Sequence, residues 1–188
     1  MPVRPICITG EPVLHTRALE VTEFNQELAE LVADMYVTMD KAPGVGLAAT
    51  QVGVGLRVFV YDYEDEAGNP VRGEVINPVL ELGPIETGEA DWDTEQEGCL
   101  SVPGERFPLK RAHWVRLTGV TLKQEPIQIE ATGWLARIFQ HEYDHLDGKL
   151  YVDRLAEPHF SDAKKIVMKN DWGKPGLSWL PGKDKLEG

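Results

Sequence analysis

The segment between Gly133 and Gly148 constrains the fold of this chain more than any other. It has helix-ending glycines, no internal proline, and the spacing His141-Glu142-x-x-His145. Side chains four positions apart are neighbours on one helical face, about 6 Å apart at Cβ, so both imidazoles can bind one metal ion. Glu142 lies about 100° around the helix, where its carboxylate can take a proton from metal-bound water. This spacing indicates a metal-dependent hydrolase.

The residues around the motif distinguish a buried metal helix from a chance pattern on a solvated helix. In the chance pattern, the two histidines and the glutamate would form a polar stripe in water. The predicted helix is instead apolar on several sides, with Trp134, Leu135, Ile138, Phe139 and Leu146. Such a helix is buried, and buried histidines and carboxylates need partners. The flanking residues therefore favour the metal site.

The composition is that of an acidic globular protein. The 188 residues include 42% apolar and 27% charged side chains, with a formal net charge of −12, which suits one domain with a substantial core. The negative charge argues against a broad surface for nucleic acid or anionic membrane. No apolar run is long enough to span a bilayer, and the N-terminus lacks a secretion signal. We therefore expect a cytoplasmic protein, in which Cys7 and Cys99 do not form a disulfide.

Hydrophobic periodicity predicts an α+β fold. Apolar residues at helical spacing over 28–39 predict a helix that Asn25 can cap and that Pro43-Gly44 ends. The other predicted elements are strands over 56–63 and 75–82, a hairpin over 113–131 and a weak helix over 161–169. The hairpin leads directly into the metal helix. No repeat or internal domain boundary is visible. We therefore expect mixed or antiparallel strands packed around the central metal-binding helix.

Three stretches have features that predict their local structure. Pro78, inside the strand at 75–82, indicates an edge strand or a break. The run 83–97 carries six carboxylates and no Lys or Arg, which is typical of a solvated loop and lacks the order of a calcium-binding loop. Cys99 to Val102 is a short strand candidate closed by Pro103-Gly104.

A catalytic metal ion needs a third protein ligand, because such sites have three ligands and one open position. The downstream sequence lacks the Gly-x-x-His that would supply a histidine, and Glu157 lies in a polar turn that contains proline. Upstream, Glu97-Gly-Cys99-Leu-Ser101 offers a thiol. These ligand types taken alone predict zinc.

The chain resembles the peptide deformylases, which remove the formyl group from the initiator methionine of new bacterial proteins. Three motifs match that family in order: Gly44-Val-Gly-Leu-Ala-Ala-Thr-Gln51, Glu97-Gly-Cys-Leu-Ser101 and Gln140-His-Glu-Tyr-Asp-His145. Each motif alone is only suggestive, but three in register are highly specific. The match covers residues 1–155, which we interpret as the catalytic domain. Residues 156–188 are expected to form a C-terminal helix and an irregular tail, either part of the same domain or partly flexible, and Trp172 and Trp179 indicate that part of the tail docks.

The resemblance implies a role for each residue of the site. The metal ligands would be Cys99, His141 and His145. Glu142 would act as general base and then as general acid when metal-bound water attacks the formyl carbonyl. The side-chain amide of Gln51 and the backbone N–H of Leu100 would stabilise the oxyanion. The substrate would lie against Gly44, Val45, Gly46, Trp134, Arg137 and Ile138.

The resemblance also implies a cofactor and partners. The cofactor would be one divalent metal ion, with ferrous iron expected and zinc, nickel or cobalt able to occupy the site. The substrates would be nascent peptides that begin with N-formylmethionine, and transient association with the ribosome would follow. We expect no membrane partner and no direct nucleic-acid site.

The chain departs from the family pattern at three places. An acidic insert intervenes around residues 90–95, and the tail beyond Leu155 has no motif to align. Arg137 stands where many members carry an apolar pocket residue. Its guanidinium either reaches the surface or forms a polar edge on the methionine pocket. The resemblance further predicts an ion pair between Arg111 and Asp144, which would connect the metal helix to the cysteine-bearing segment.

Two other functions use the same residues. A general zinc endopeptidase would use Glu142 and the metal ion on an internal peptide bond. A non-catalytic metal-binding module would need a fourth protein ligand. The cysteine ligand and the motif from Gly44 to Gln51 favour deformylation, and a comparison of formylated with internal peptides distinguishes the activities.

Overall fold

The computed structural model of the protein describes residues 2–65, 68–184 and 186. Residues 66 and 67, between the predicted strands at 56–63 and 75–82, and parts of the predicted tail therefore lie outside the described residues. The helices are α1 (Gln26–Lys41), α2 (Gly133–Leu146) and α3 (His159–Lys169). The strands are β1 (Ile6–Cys7), β2 (Gly46–Ala48), β3 (Val58–Glu64), β4 (Pro70–Leu82), β5 (Gln96–Cys99), β6 (Val102–Pro108), β7 (Trp114–Val120), β8 (Pro126–Thr132) and β9 (Ser178–Trp179).

A five-stranded antiparallel sheet, in the order β2-β3-β4-β7-β8, separates two helices. Successive side chains of a strand point to opposite faces, and β3 is apolar on both. Val58 and Val60 join the apolar cluster that contains α1, whereas Phe59 and Tyr61 join the cluster that contains α2. The predicted α+β fold, with antiparallel strands around the metal helix, is confirmed.

Helix α1 forms as its sequence predicts. The side chain of Asn25 caps it by accepting a hydrogen bond from the backbone N–H of Leu28 at 3.0 Å. The helix ends at Lys41, just before Pro43. Its apolar stripe is buried against the sheet, which fixes the segment that follows, including β2.

Helix α2 packs its aromatic side chain Phe139 against the other face of the sheet. The ring centroid of Phe139 lies 5.1 Å from that of Tyr61 and 6.1 Å from that of Phe59. Edge-to-face and tilted packing at these distances is favourable. The helix therefore has a rigid support from which its polar side chains can project.

The proline in β4 marks a break, and the alternative of an edge strand is wrong. Strand β4 lies between β3 and β7, and its pairing with β7 shifts register between Ile76 and Val79. Asn77 adopts a left-handed φ of 51° there, and its side chain bonds the N–H and the carbonyl of Val21 at 2.8 and 2.9 Å. Because the bulge removes Pro78 from the ladder, the missing N–H costs no strand pairing.

The predicted strand over Cys99–Val102 is wrong, because this segment contains a hairpin turn. Cys99 is the last residue of β5, and β6 begins at Val102 after the turn at Leu100 and Ser101. Strand β6 continues through Pro103-Gly104 to Pro108. The turn places the cysteine at the tip of a hairpin, where its thiol faces α2.

The two ends of the described chain meet. Strand β9 pairs with β1 in antiparallel register, with Ile6 opposite Trp179. Trp179 is 1% exposed, and the N–H of Gly173 donates to the carbonyl of Thr9 at 2.9 Å. In the part of the chain that the structure describes, no helix combines the length and apolarity needed to cross a membrane.

Candidate active site

Two elements, β5 and α2, bring the three predicted metal ligands together. Cys99 lies at the end of β5, and His141 and His145 lie one turn apart on α2. The Cys99 sulfur is 3.2 Å from Nε2 of His145, which is 3.2 Å from Nε2 of His141. The three ligand atoms lie within 4.8 Å of one another. Two imidazole nitrogens and a sulfur this close repel one another unless a cation or a proton lies between them, so this donor set fits a metal ion.

Glu97 sets the orientation of His141. One oxygen of the Glu97 carboxylate lies 2.6 Å from Nδ1 of His141, so the other ring nitrogen, Nε2, faces the cluster. Burial alone would raise the pKa of Glu97, but Arg111 and His141 outweigh it and hold this pKa well below its usual range. A permanently charged carboxylate therefore lies behind the histidine. The expectation that residues 83–97 form a solvated loop is wrong for Glu97, which is buried in β5.

Arg111 connects this carboxylate to the metal helix. Its guanidinium donates to both oxygens of Glu97, at 2.6 and 3.1 Å, and to Asp144 at 2.6 Å. The predicted pairing of Arg111 with Asp144 is confirmed. Both partners are almost fully buried, and Asp144 also pairs with Arg154, so removing Arg111 would leave part of the buried charge uncompensated. The β5–β6 hairpin and α2 are thereby held in a fixed relation at the site.

Arg137 is buried, so the interpretation as a surface-reaching side chain is wrong. Its guanidinium donates to Glu97 at 3.1 Å and to the carbonyl of Leu109 at 2.7 Å, and 8% of the residue is exposed. It also lies over the ring of Trp134, 5.3 Å from the centroid. Because Arg137 also lines the main cavity, it gives one wall a charged group that is already paired.

Glu142 lies against the backbone of β2. It is 4% exposed, and a Cβ atom at Gly46 would lie 2.3 Å from one of its carboxylate oxygens. Burial raises the pKa of Glu142 to about 7, near the value that suits a proton acceptor at neutral pH. One Glu142 oxygen and Nδ1 of His145 have no hydrogen-bond partner among the described residues. The glycine therefore makes the space in which the carboxylate lies.

The side-chain amide of Gln51 points at the thiol and the hairpin turn. Its oxygen accepts from the N–H of Ala48 at 2.9 Å, which leaves the NH₂ group to face the site. That NH₂ group lies 3.8 Å from the Cys99 sulfur and 3.3 Å from Oγ of Ser101. Gln51 is thus fixed as a donor beside the cluster.

A cavity of about 460 Å³ opens above the cluster. The predicted site residues that line it are Gly44, Val45, Gly46, Gln51, Cys99, Leu100, Trp134, Arg137, Ile138, His141 and Glu142. The remaining predicted ligand, His145, is 1% exposed and reaches the cluster from beneath. Every residue predicted for the site thus belongs to one continuous region.

The sequence predicts no role for two structurally important residues. Glu97 falls within the acidic run, and its place two positions before the cysteine is the local signal of its role. Trp179 lines the cavity and donates its indole N–H to the carbonyl of Leu100 at 2.8 Å. A tryptophan in a polar tail predicts docking, but nothing local to it shows where.

The chain is similar in sequence to known proteins over nearly its whole length. The family model described as polypeptide deformylase matches residues 3–161. A peptide deformylase of Mycolicibacterium paratuberculosis is 53% identical over 97% of this chain and 96% of its own length. A peptide deformylase 2 of Corynebacterium efficiens is 53% identical over 98% of this chain and 96% of its own length.

Solved structures are similar over most of the fold. A peptide deformylase from Legionella pneumophila has a TM-score of 0.78 at 34% identity and covers 90% of this chain and 96% of its own. One from Synechococcus elongatus, in complex with actinonin, has a TM-score of 0.77 at 33% identity, with 94% of each chain covered. The sequence relatives, the family model and the fold together show that the chain belongs to the polypeptide deformylase family of metal-dependent hydrolases.

Proposed function

We propose that Cys99, His141 and His145 hold the one divalent metal ion with which this peptide deformylase removes the formyl group from N-terminal formylmethionine, releasing formate. The observation that carries the proposal is the convergence of the sulfur and two imidazole nitrogens within 4.8 Å of one another, beside a cavity that Glu142 and Gln51 also line. Three protein ligands leave a position open for chemistry. Metal dependence is a property of the family, and the ligand set is our assignment.

The proton transfers are assigned to Glu142. A bound divalent ion supplies an acidified water and a Lewis-acid contact to the carbonyl oxygen. Glu142 takes a proton from the attacking water and returns it to the amine that leaves. A pKa near 7 suits both steps, because the carboxylate is then neither too weak a base nor too weak an acid.

Two hydrogen-bond donors are assigned to stabilise the oxyanion that develops on the formyl oxygen. The NH₂ group of Gln51 is held in place by the bond from Ala48 to its own oxygen. The backbone N–H of Leu100 lies in the turn after the cysteine. Removing one such donor typically costs about 10²–10³ in rate.

The methionine side chain is assigned to the cavity wall formed by Val45, Trp134 and Ile138, with Arg137 at its edge. Gly44 and Gly46 let the β2 backbone approach the substrate. Methionine is long and flexible and suits an apolar slot of this kind.

We also propose which metal ion is bound and where in the cell the reaction takes place. Ferrous iron is the proposed ion, with zinc, nickel and cobalt as alternatives, and support comes from the donor set together with family membership. Because the substrate is made on ribosomes, we place the enzyme in the cytoplasm with a transient ribosome association. Residues 1–155 carry the proposed catalytic machinery, and β9 of the C-terminal segment pairs with β1.

The test combines metal analysis with formate release. Protein purified without oxygen should hold one equivalent of metal ion and release formate from formyl-Met-Ala-Ser. It should not cleave an acetylated or internal peptide of the same sequence. Cleavage of the internal peptide would instead support an endopeptidase, and stoichiometric metal without any hydrolysis would support a binding module.

A further inference from the structure

The C-terminal segment makes a direct hydrogen bond to the turn that carries a proposed metal ligand. The indole Nε1–H of Trp179 donates to the carbonyl oxygen of Leu100 at 2.8 Å. Trp179 is 1% exposed and is anchored by the pairing of β9 with β1. This bond joins residues 79 positions apart, so it is a tertiary contact of the tail and not a local turn feature.

The bonded carbonyl belongs to the same peptide group as the Ser101 N–H. That N–H donates to the sulfur of Cys99, with the nitrogen 3.4 Å from Sγ. Since the peptide group is planar and rigid, a bond that fixes the Leu100 oxygen also fixes the direction of the Ser101 N–H. A hydrogen bond accepted at the oxygen also polarises the N–H, because linked bonds strengthen one another.

The turn is held on its other sides as well. The carbonyl of Ser101 accepts from the backbone N–H of Thr9 at 2.8 Å, and Oγ of Ser101 accepts from Gln51 at 3.3 Å. Thr9 follows β1, the strand that pairs with β9. The two ends of the chain therefore form one support behind the cysteine.

We infer that Trp179 is a positioning residue for Cys99. It acts through two hydrogen bonds on either side of one peptide group: the indole N–H of Trp179 donates to the Leu100 carbonyl, and the Ser101 N–H donates to the Cys99 sulfur. This inference rests on the proposed metal site. A hydrogen bond to a coordinating thiolate draws charge from the sulfur and thereby tunes the bound metal ion. The tail thus contributes to the metal centre without touching the metal ion.

Loss of the indole N–H has a defined local consequence. The Leu100 carbonyl, which lies in a part-buried position, loses the hydrogen bond from the indole, and an acceptor that loses its partner away from bulk water is unfavourable. The peptide group can then rotate toward another donor, which turns the Ser101 N–H away from the sulfur. The Cys99 sulfur would bind the metal ion with a different charge and orientation.

The experiment uses the full chain loaded with cobalt, because a cobalt–thiolate bond gives a charge-transfer absorption that reports on the sulfur. Two variants remove the N–H: Trp179→Phe, and 3-benzothienylalanine at position 179, which keeps the shape of the indole. The matched control is Trp172→Phe, a partly buried tryptophan of the same segment that does not line the cavity. Cobalt affinity is measured by competition with a chelator.

Both position-179 variants are expected to shift the charge-transfer band and to weaken cobalt binding about tenfold, whereas Trp172→Phe should match the unaltered protein. An unchanged band and affinity in the benzothienylalanine variant would overturn the inference, even if its melting temperature fell. A Cys99→Ser variant that retained the band would overturn the proposed ligand set itself, and the inference with it.

Discussion

Glu142 and Gly46 face each other in the cavity, and their contact leads to a prediction at the scale of single residues. A Cβ atom at Gly46 would lie 2.3 Å from the Glu142 carboxylate, so Gly46→Ala must displace that flexible side chain. We expect turnover to fall by at least tenfold while the melting temperature changes little. Gly55→Ala is the control, since its Cβ would meet only ordinary contact, 3.8 Å from Val13. Equal activity of the two variants would contradict the proposed role of Glu142.

Glu142 is also predicted to be separable from metal binding. In Glu142→Gln the side chain keeps its size but cannot accept a proton, so turnover should fall by about 10²–10⁴. The metal content should stay at one equivalent, because the proposed ligands are Cys99, His141 and His145. Metal analysis beside a formate-release assay measures both properties. Loss of the metal ion would mean that Glu142 is a ligand or a necessary support for one.

Sequence predicts where single side chains meet when their spacing along one helix decides it, but not when a distant partner does. The spacing of His141 and His145 on one helix is local information, and the structure places both side chains at one point. The role of Glu97 is not local, because it depends on Arg111, fourteen positions away. An acidic run has the same composition whether its last carboxylate faces water or a guanidinium.

At the scale of secondary-structure elements, one buried arginine connects α2 to the β5–β6 hairpin. Arg111 is the shared partner of Glu97 and Asp144, and its removal would leave Glu97 with Arg137 and Asp144 with the partly exposed Arg154 as their remaining arginine partners. We expect Arg111→Ala to lower the free energy of unfolding by about 3–5 kcal/mol, measured by thermal or denaturant unfolding.

The control for this prediction is Arg116→Ala on the sheet surface. Arg116 also pairs with two carboxylates, Glu81 and Glu130, but it is solvent-exposed, so its loss should leave the melting temperature nearly unchanged. If the two variants melted together, the buried network would not hold the hairpin to α2.

Helices and long strands could be predicted because their periodicity is repeated over several turns or residues. The capped start of α1 and the bounds of α2 followed from Asn25 and the glycines. The short segment Cys99–Val102 could not be predicted, since four residues fit a strand and a turn equally well. Its conformation is decided by the pairing of β5 with β6 and by the bonds that Ser101 receives.

At the scale of the whole molecule, the pairing of β1 with β9 could not be predicted from the sequence. Each strand has two residues, too few to show alternation, and they lie at opposite ends of the chain. Burial of Trp179 stabilises the pairing. Long-range contacts of this kind depend on the assembled core, so the tail could be predicted to dock but not to reach the active site.

The whole fold also determines substrate choice, because β2, β5 and α2 each contribute to one cavity. Ile138 is 5% exposed and gives the wall an apolar base. The guanidinium of Arg137, which could otherwise pair with an acidic side chain, already bonds Glu97 and the Leu109 carbonyl. Among the described residues, the Arg137 side of the cavity therefore offers an apolar slot in which the Arg137 guanidinium is already paired.

This slot predicts an order of substrates. Formyl-norleucine peptides should be fair substrates, because norleucine keeps the length of methionine and loses only the sulfur, and one methylene more or less in such a slot changes binding by only about 1–3 kcal/mol. Formyl-glycine leaves the slot empty, and formyl-aspartate would bury an unpaired charge, so both should be poor. The measurement is kcat/KM for the four peptides with an identical downstream sequence. If glycine or aspartate equalled methionine, the cavity would not select the first side chain, and the residues assigned to its wall would have no role in specificity.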